Sequence, residues 1–93
     1  MGLYAEYVSL KDNELCEDYG FTIISKNECE EAARQNGDDD VSIERHNPFF
    51  WPKGCQMIHG YYWYNYHIKG QRNEVAAPIC RRGRKLEIFN SKE

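Results

Sequence analysis

Three groups of residues carry types and spacings that can do chemistry. Glu44, His46, His59 and His67, with Arg72 as a cation, are the ingredients of acid–base work on a phosphodiester, which needs two positioned titrating groups and a positive charge. A small secreted ribonuclease is the enzyme they fit, but no motif fixes their mutual spacing and the histidines form no HxxxH pair. The run "RRGRK", with Arg81, Arg82, Arg84 and Lys85, is a polyanion-binding candidate whose interactions are electrostatic and salt-sensitive. The competing reading is a solvated tail or a processing site at a domain junction. Asp38 to Asp40, with Glu44 and Asn47, invite a calcium loop. Counted from Asn36, however, the sixth and twelfth positions hold Val41 and Asn47 where the EF-hand geometry needs Gly and Glu. No metal or other cofactor is expected from these patterns, and the reading is non-catalytic.

The strongest pattern is aromatic. In "WPKGCQMIHGYYWYNYHIKG", residues 51–70, His59 and Gly60 suit a two-residue hairpin turn that pairs Ile58 with Tyr61, Met57 with Tyr62, Gln56 with Trp63 and Cys55 with Tyr64. Opposed residues share a face. One face then holds Cys55, Met57, Tyr62, Tyr64, Tyr66 and Ile68, and is expected to be core. The other holds Gln56, Ile58, Tyr61, Trp63, Asn65 and His67. Of these, Gln56, Tyr61, Trp63, Asn65 and His67 form the candidate ligand-binding surface, combining flat apolar rings with hydrogen-bonding groups. The competing expectation is that a loop or the tail covers this face as a second core layer.

Other elements must position these strands. Phe21 to Ile24 is a short β-prone run, and Ser25 stands three residues before Glu28, the capping-box spacing. A helix is expected over about residues 26–36, with Ile24 and Cys29 as a hydrophobic staple and Gly37 as its stop. Its Cys29, Ala32, Ala33 and Asn36 share one narrow face of small residues, which lets the helix approach a sheet closely. "NPFFWP", with two prolines around three aromatics, is extended or turning. "VAAPICR" reads as a final core strand.

Size and charge bound the rest. The 93 residues make one domain, with a core too small to supply much stability alone. Four cysteines at wide spacing, without a CxxC pair, read as two disulfides and so as a secreted, extracellular or lumenal protein. The net charge of −3 disfavours nucleic acid as a partner. It is unevenly spread, with twelve acids against four bases in residues 1–47 and three against eight in residues 48–93. No run approaches transmembrane length, so no membrane insertion is expected. The fold class is α+β: a small disulfide-stabilised domain with a curved antiparallel sheet packed on one helix. Residues 1–15 are a terminal strand or linker, 16–82 the disulfide-bonded core, and 83–93 a basic tail or edge strand in which Leu86, Ile88 and Phe89 are apolar. That tail also fits a junction to a neighbouring domain, which would make the chain one module of a larger protein.

Cys16, "ISKNECEEAA", "WPKGC", "YYWYN" and "PICR", in that order, resemble a cysteine-framework module of predicted extracellular proteins in algae and marine protists. More remotely the arrangement is similar to PAN/apple domains, although the second helical cysteine of that family is missing. The resemblance implies a sheet cradling one helix, with Cys16 paired to Cys80 and Cys29 to Cys55. The hairpin register separately turns Cys55 toward the side where the helix must dock. The resemblance also implies a recognition module for a glycan or an extracellular protein.

Overall fold

The computed structural model describes residues 6–37, 44–46 and 49–82. The Asp38 to Asp40 loop with Val41 and Asn47, the cations Arg84 and Lys85, and the expected edge strand at Leu86, Ile88 and Phe89 lie outside the described residues. Six strands and one α-helix follow in the order β1 (Tyr7–Ser9), β2 (Thr22–Ile23), α1 (Lys26–Gln35), β3 (Glu44–His46), β4 (Gly54–Ile58), β5 (Tyr61–Asn65) and β6 (Ala76–Arg81), with a 3-10 turn at Cys16–Tyr19 before β2. The fold is α+β. The strands form one sheet of order β1-β6-β4-β5-β3, and β2 pairs with β6 on the edge that β6 otherwise gives to β4.

Four of the five pairings are antiparallel, whereas β3 joins the far edge parallel to β5. No sequence rule signals β3, because "ERH" is too short and too polar to show a strand period. Within the N-terminal segment, Tyr7–Ser9 form a strand of the sheet, paired antiparallel with β6. The β4–β5 hairpin has the expected register, Ile58 with Tyr61 through Cys55 with Tyr64. His59 and Gly60 take φ of 51° and 84°, the doubly left-handed turn whose twist suits a two-residue hairpin.

Because directly opposed residues share a face, the register sorts the sheet into two sides. Cys55, Met57, Tyr62, Tyr64, Ile79 and Tyr7 face the helix, while Gln56, Ile58, Trp63, Asn65, Pro78, Cys80 and Val8 face the loops. The helix starts as its sequence requires. The Glu28 amide donates to Ser25 Oγ (3.2 Å) and the Ser25 amide to Glu28 Oε1 (2.9 Å), satisfying two of the orphan donors at the helix start. Gly37, at φ 87°, ends it. Cys29, Ala32 and Ala33 are buried with Ile24, Cys55, Tyr62 and Ile79 in one cluster, and the Cys29–Cys55 disulfide fastens the helix to β4.

The second disulfide, Cys16–Cys80, lies on the loop side and fixes the 3-10 turn to β6. Both bridges are those implied by the PAN/apple resemblance. The face assignment needs one correction. Tyr66 and Ile68, expected in the core, are 50% and 76% exposed, because the His67 amide donates to Asn65 Oδ1 (3.0 Å) in an Asx turn that ends β5 before them. Alternation cannot extend past that point. Among the described residues, no helix is long and apolar enough to cross a membrane.

Candidate functional site

The loop side of the sheet is closed by chain, not by an aliphatic cluster. The segment Phe49 to Lys53 folds back over β4 and β5, and its carbonyls are gripped from beneath and beside. Asn65 Nδ2 donates to the carbonyls of Trp51 (3.1 Å) and Pro52 (3.0 Å), and Gln56 Nε2 donates to Pro52 O (2.7 Å). The Gln71 amide reaches Trp51 O at 3.0 Å and Asn73 Nδ2 reaches Phe50 O at 3.0 Å. Gly70 makes the close approach possible. At φ 62°, a Cβ there would meet Lys53 N at 2.6 Å and Trp51 O at 2.9 Å.

This anchoring removes two residues from the expected binding surface. Gln56 is 0% and Asn65 1% exposed, and their amides are used to hold backbone, so neither is available to a ligand. His67 is half-buried and also engaged, its Nδ1 accepting from the Lys69 amide at 3.1 Å. Trp63 is half-buried as well. Tyr61 is exposed as expected, at 68%, but sits beside the hairpin turn at the opposite end of β5 from Asn65 and His67. The five residues therefore do not form one surface.

The loop that displaces them presents its own rings. Phe49 and Phe50 are 58% and 47% exposed, with centroids 5.7 Å apart in an edge-to-face arrangement. Phe49 leans toward the His67 ring at 6.2 Å, and Phe50 toward Trp51 at 5.8 Å. Apolar rings in water, on a backbone fixed at three successive carbonyls, form a preorganised aromatic platform. The sequence signal for it is "NPFFWP". The flanking prolines at positions 48 and 52 disfavour helix and central strand, which puts the rings between them in a turn at the surface.

The other candidates are engaged or separated. Arg72 forms a two-pronged ion pair with Asp18 (2.9 and 3.1 Å) and donates to Asn13 O, which ties the loop before β6 to the 3-10 turn. That hydrogen bond, with a smaller one from the Leu15 amide, lowers the Asp18 pKa. His59 occupies the hairpin turn and His67 follows the opposite end of β5, while Glu44 and His46 lie on β3. Arg81 and Arg82 are paired too, Arg81 with Glu28 at 2.7 Å and Arg82 with Glu6 at 3.6 Å, and Arg82 also covers the Phe21 ring. Within the described residues, then, the basic run begins with two cations already facing carboxylates. Comparison of the chain with models of known protein families, with curated proteins and with solved structures finds no match.

Proposed function

We propose that the chain is a non-catalytic recognition module of the secreted or cell-surface type, and that it binds a protein partner through the Phe49–Phe50 platform. The observation that carries this reading is the pair of solvent-facing phenylalanines on a loop whose carbonyls are anchored by Asn65, Gln56, Asn73 and the Gln71 amide. Holding those rings out of the core forgoes apolar burial that a domain of this size has reason to use. Aromatic anchors fixed before binding lose little freedom on association, which suits an interface hot spot.

Protein is favoured over glycan for a chemical reason. Sugar recognition by a ring needs neighbouring hydrogen-bonding groups, and the amides expected to supply them face inward. Two disulfides support an oxidising compartment. Their pairing, one bridge closing the start on the end and one tying helix to strand, supports a PAN/apple-like relationship. The test is to probe an extracellular protein array and a glycan array with the chain and with Phe49→Ser/Phe50→Ser. The expected result is binding to a protein that disappears in the double variant, while the variant's near-ultraviolet dichroism shows the fold intact. Binding that the variant retains, or binding confined to glycans, counts against this reading.

A further inference from the structure

Strand β1 ends the sheet, and its backbone is half used. The Arg82 amide donates to Glu6 O (2.8 Å) and the Leu10 amide to Pro78 O (2.9 Å), so residues 6, 8 and 10 turn their polar groups toward β6. By antiparallel alternation, the N–H and C=O of Tyr7 and Ser9 point to the open edge, where no strand pairs with them among the described residues. A cleft of about 330 Å³ lies beside that edge, between β1 and the second half of α1, with Tyr7, Ser9, Ala32, Gln35 and Ile79 in its lining. Ala32 and Ile79 are apolar at its floor, and Ser9, Gln35 and Asn36 set polar groups around them. Beside its Tyr7 end stand two carboxylates, Glu28, which engages the Arg81 guanidinium at 2.7 Å, and Glu31. Glu31 accepts a hydrogen bond from the neutral Tyr7 hydroxyl at 3.0 Å, a partner that brings no positive charge.

We infer that this strand–helix groove is a second binding site, and that its ligand is an extended peptide added to the sheet along β1. An incoming antiparallel strand hydrogen-bonds to Tyr7 and Ser9 and turns alternate side chains toward the helix. The side chain opposite Ser9 enters the cleft over Ala32 and Ile79, and selection there is for an aliphatic group. The side chain two residues later, opposite Tyr7, meets Glu31, and selection is for Lys or Arg. The recognised pattern is Leu-x-Lys. It is independent of the Phe49–Phe50 platform, which stands at the other end of the sheet order beside β5.

The full chain, labelled with nitrogen-15, is titrated with the peptide acetyl-Thr-Leu-Thr-Lys-Thr-amide and with its Lys-to-Glu counterpart. Saturable shifts at the Tyr7, Ser9 and Gln35 amides are expected, with the Glu peptide weaker by about fivefold, the scale of one half-exposed ion pair. Glu31→Gln, which keeps an acceptor for Tyr7, removes the preference between the two peptides. Ser9→Pro deletes an outward N–H that the β6 ladder does not use, so it leaves the fold intact and abolishes the shifts. Binding that survives Ser9→Pro overturns the proposal, as does binding that maps elsewhere or no binding by either peptide. So does a free chain whose Tyr7 and Ser9 amides are already protected from exchange, or a dimer in sedimentation, since the edge is then occupied by the chain itself or by a second copy.

Discussion

On the helix side of the sheet, Cys29, Ala32 and Ala33 bring α1 close to Tyr62, Ile79 and Cys55, and the packing is apolar. On the loop side, Gln56 and Asn65 are buried with nearly the same completeness, but they carry amides whose work is to hold carbonyls. The two sides solve one burial problem with different physics. Apolar packing is non-directional and tolerates small shifts, whereas an amide gripping two carbonyls fixes a loop in one position. The directional side is the one that carries the exposed rings, and the apolar side is the one that carries the cleft. Recognition by a rigid platform and by a groove would draw on these two properties separately.

The largest expected effects are at the disulfides, one on each side. Replacing both Cys16 and Cys80 by Ala is expected to cost about 4 kcal/mol, and the same change at Cys29 and Cys55 about 3.5 kcal/mol, because the first ring is longer. Urea midpoints of the two double variants measure this, and the reverse order would mean that the helix staple acts through native packing and not through chain entropy. Next in size is Asn65→Leu, which takes one of two donors from each of the Trp51 and Pro52 carbonyls and leaves the His67 amide without its acceptor, at about 2 kcal/mol. Gln56→Leu should cost less, since Gln56 Oε1 has no hydrogen-bond partner among the described residues to lose. Both are read from thermal unfolding, and Asn65→Leu should also release the Phe49 and Phe50 rings, seen as narrowed aromatic resonances. Ser25→Ala, on the helix side, removes a cap worth about 1 kcal/mol and leaves those rings unchanged.

The smallest effects are titrations, and they fall on opposite sides of neutrality. Asp18 has a lowered pKa, chiefly through its Arg72 hydrogen bond, so its contribution is present above the ordinary carboxylate range and is lost as pH falls through the lowered value. Acid should therefore loosen the tie between the 3-10 turn and the loop before β6, visible as a shift of the Arg72 side-chain resonance and absent in Asp18→Asn. Tyr7 is the converse. Burial first, then its hydrogen bond to Glu31, raises its pKa from 10.0 to about 12, favouring the neutral phenol in the folded chain. Its contribution is complete below pH 10 and fades as pH rises toward 12, so alkali should loosen the helix side, and Tyr7→Phe should delete that step from the absorbance at 295 nm.

What is legible in the sequence follows the same division. The cap at Ser25, the stop at Gly37, the small-residue face of α1 and the hairpin register at Ile58–Tyr61 are local rules, each confined to a few neighbouring residues, and each is met. The loop side escapes those rules because its order is not local. Gln and Asn on an alternating strand are polar by type, and type says "surface" until distant carbonyls are known to need donors. Asn65 reaches Trp51 and Pro52, more than ten residues earlier, and no local period encodes that reach. β3 has no signature either, because parallel pairing at an edge leaves no trace in three polar residues. The outward direction of Tyr7 and Ser9 likewise depends on which β6 residues they oppose.

The closeness of Glu6 to Arg82 and the Cys16–Cys80 bridge together have a mechanical meaning. The chain enters and leaves the described body at one point, so tension applied through its flanks peels β1 from β6 one hydrogen bond at a time. That unzipping reaches Cys16 after releasing about 35 Å of chain at most, at roughly 3.5 Å per residue. Beyond it the load passes through sulfur to Cys80 and out again, and residues 17–79 lie inside the covalent ring, carrying no force. As a link in a tensioned assembly, the domain would give slightly and then behave as an inextensible ring, with β4, β5, the helix and the Phe49–Phe50 platform untouched by the pull.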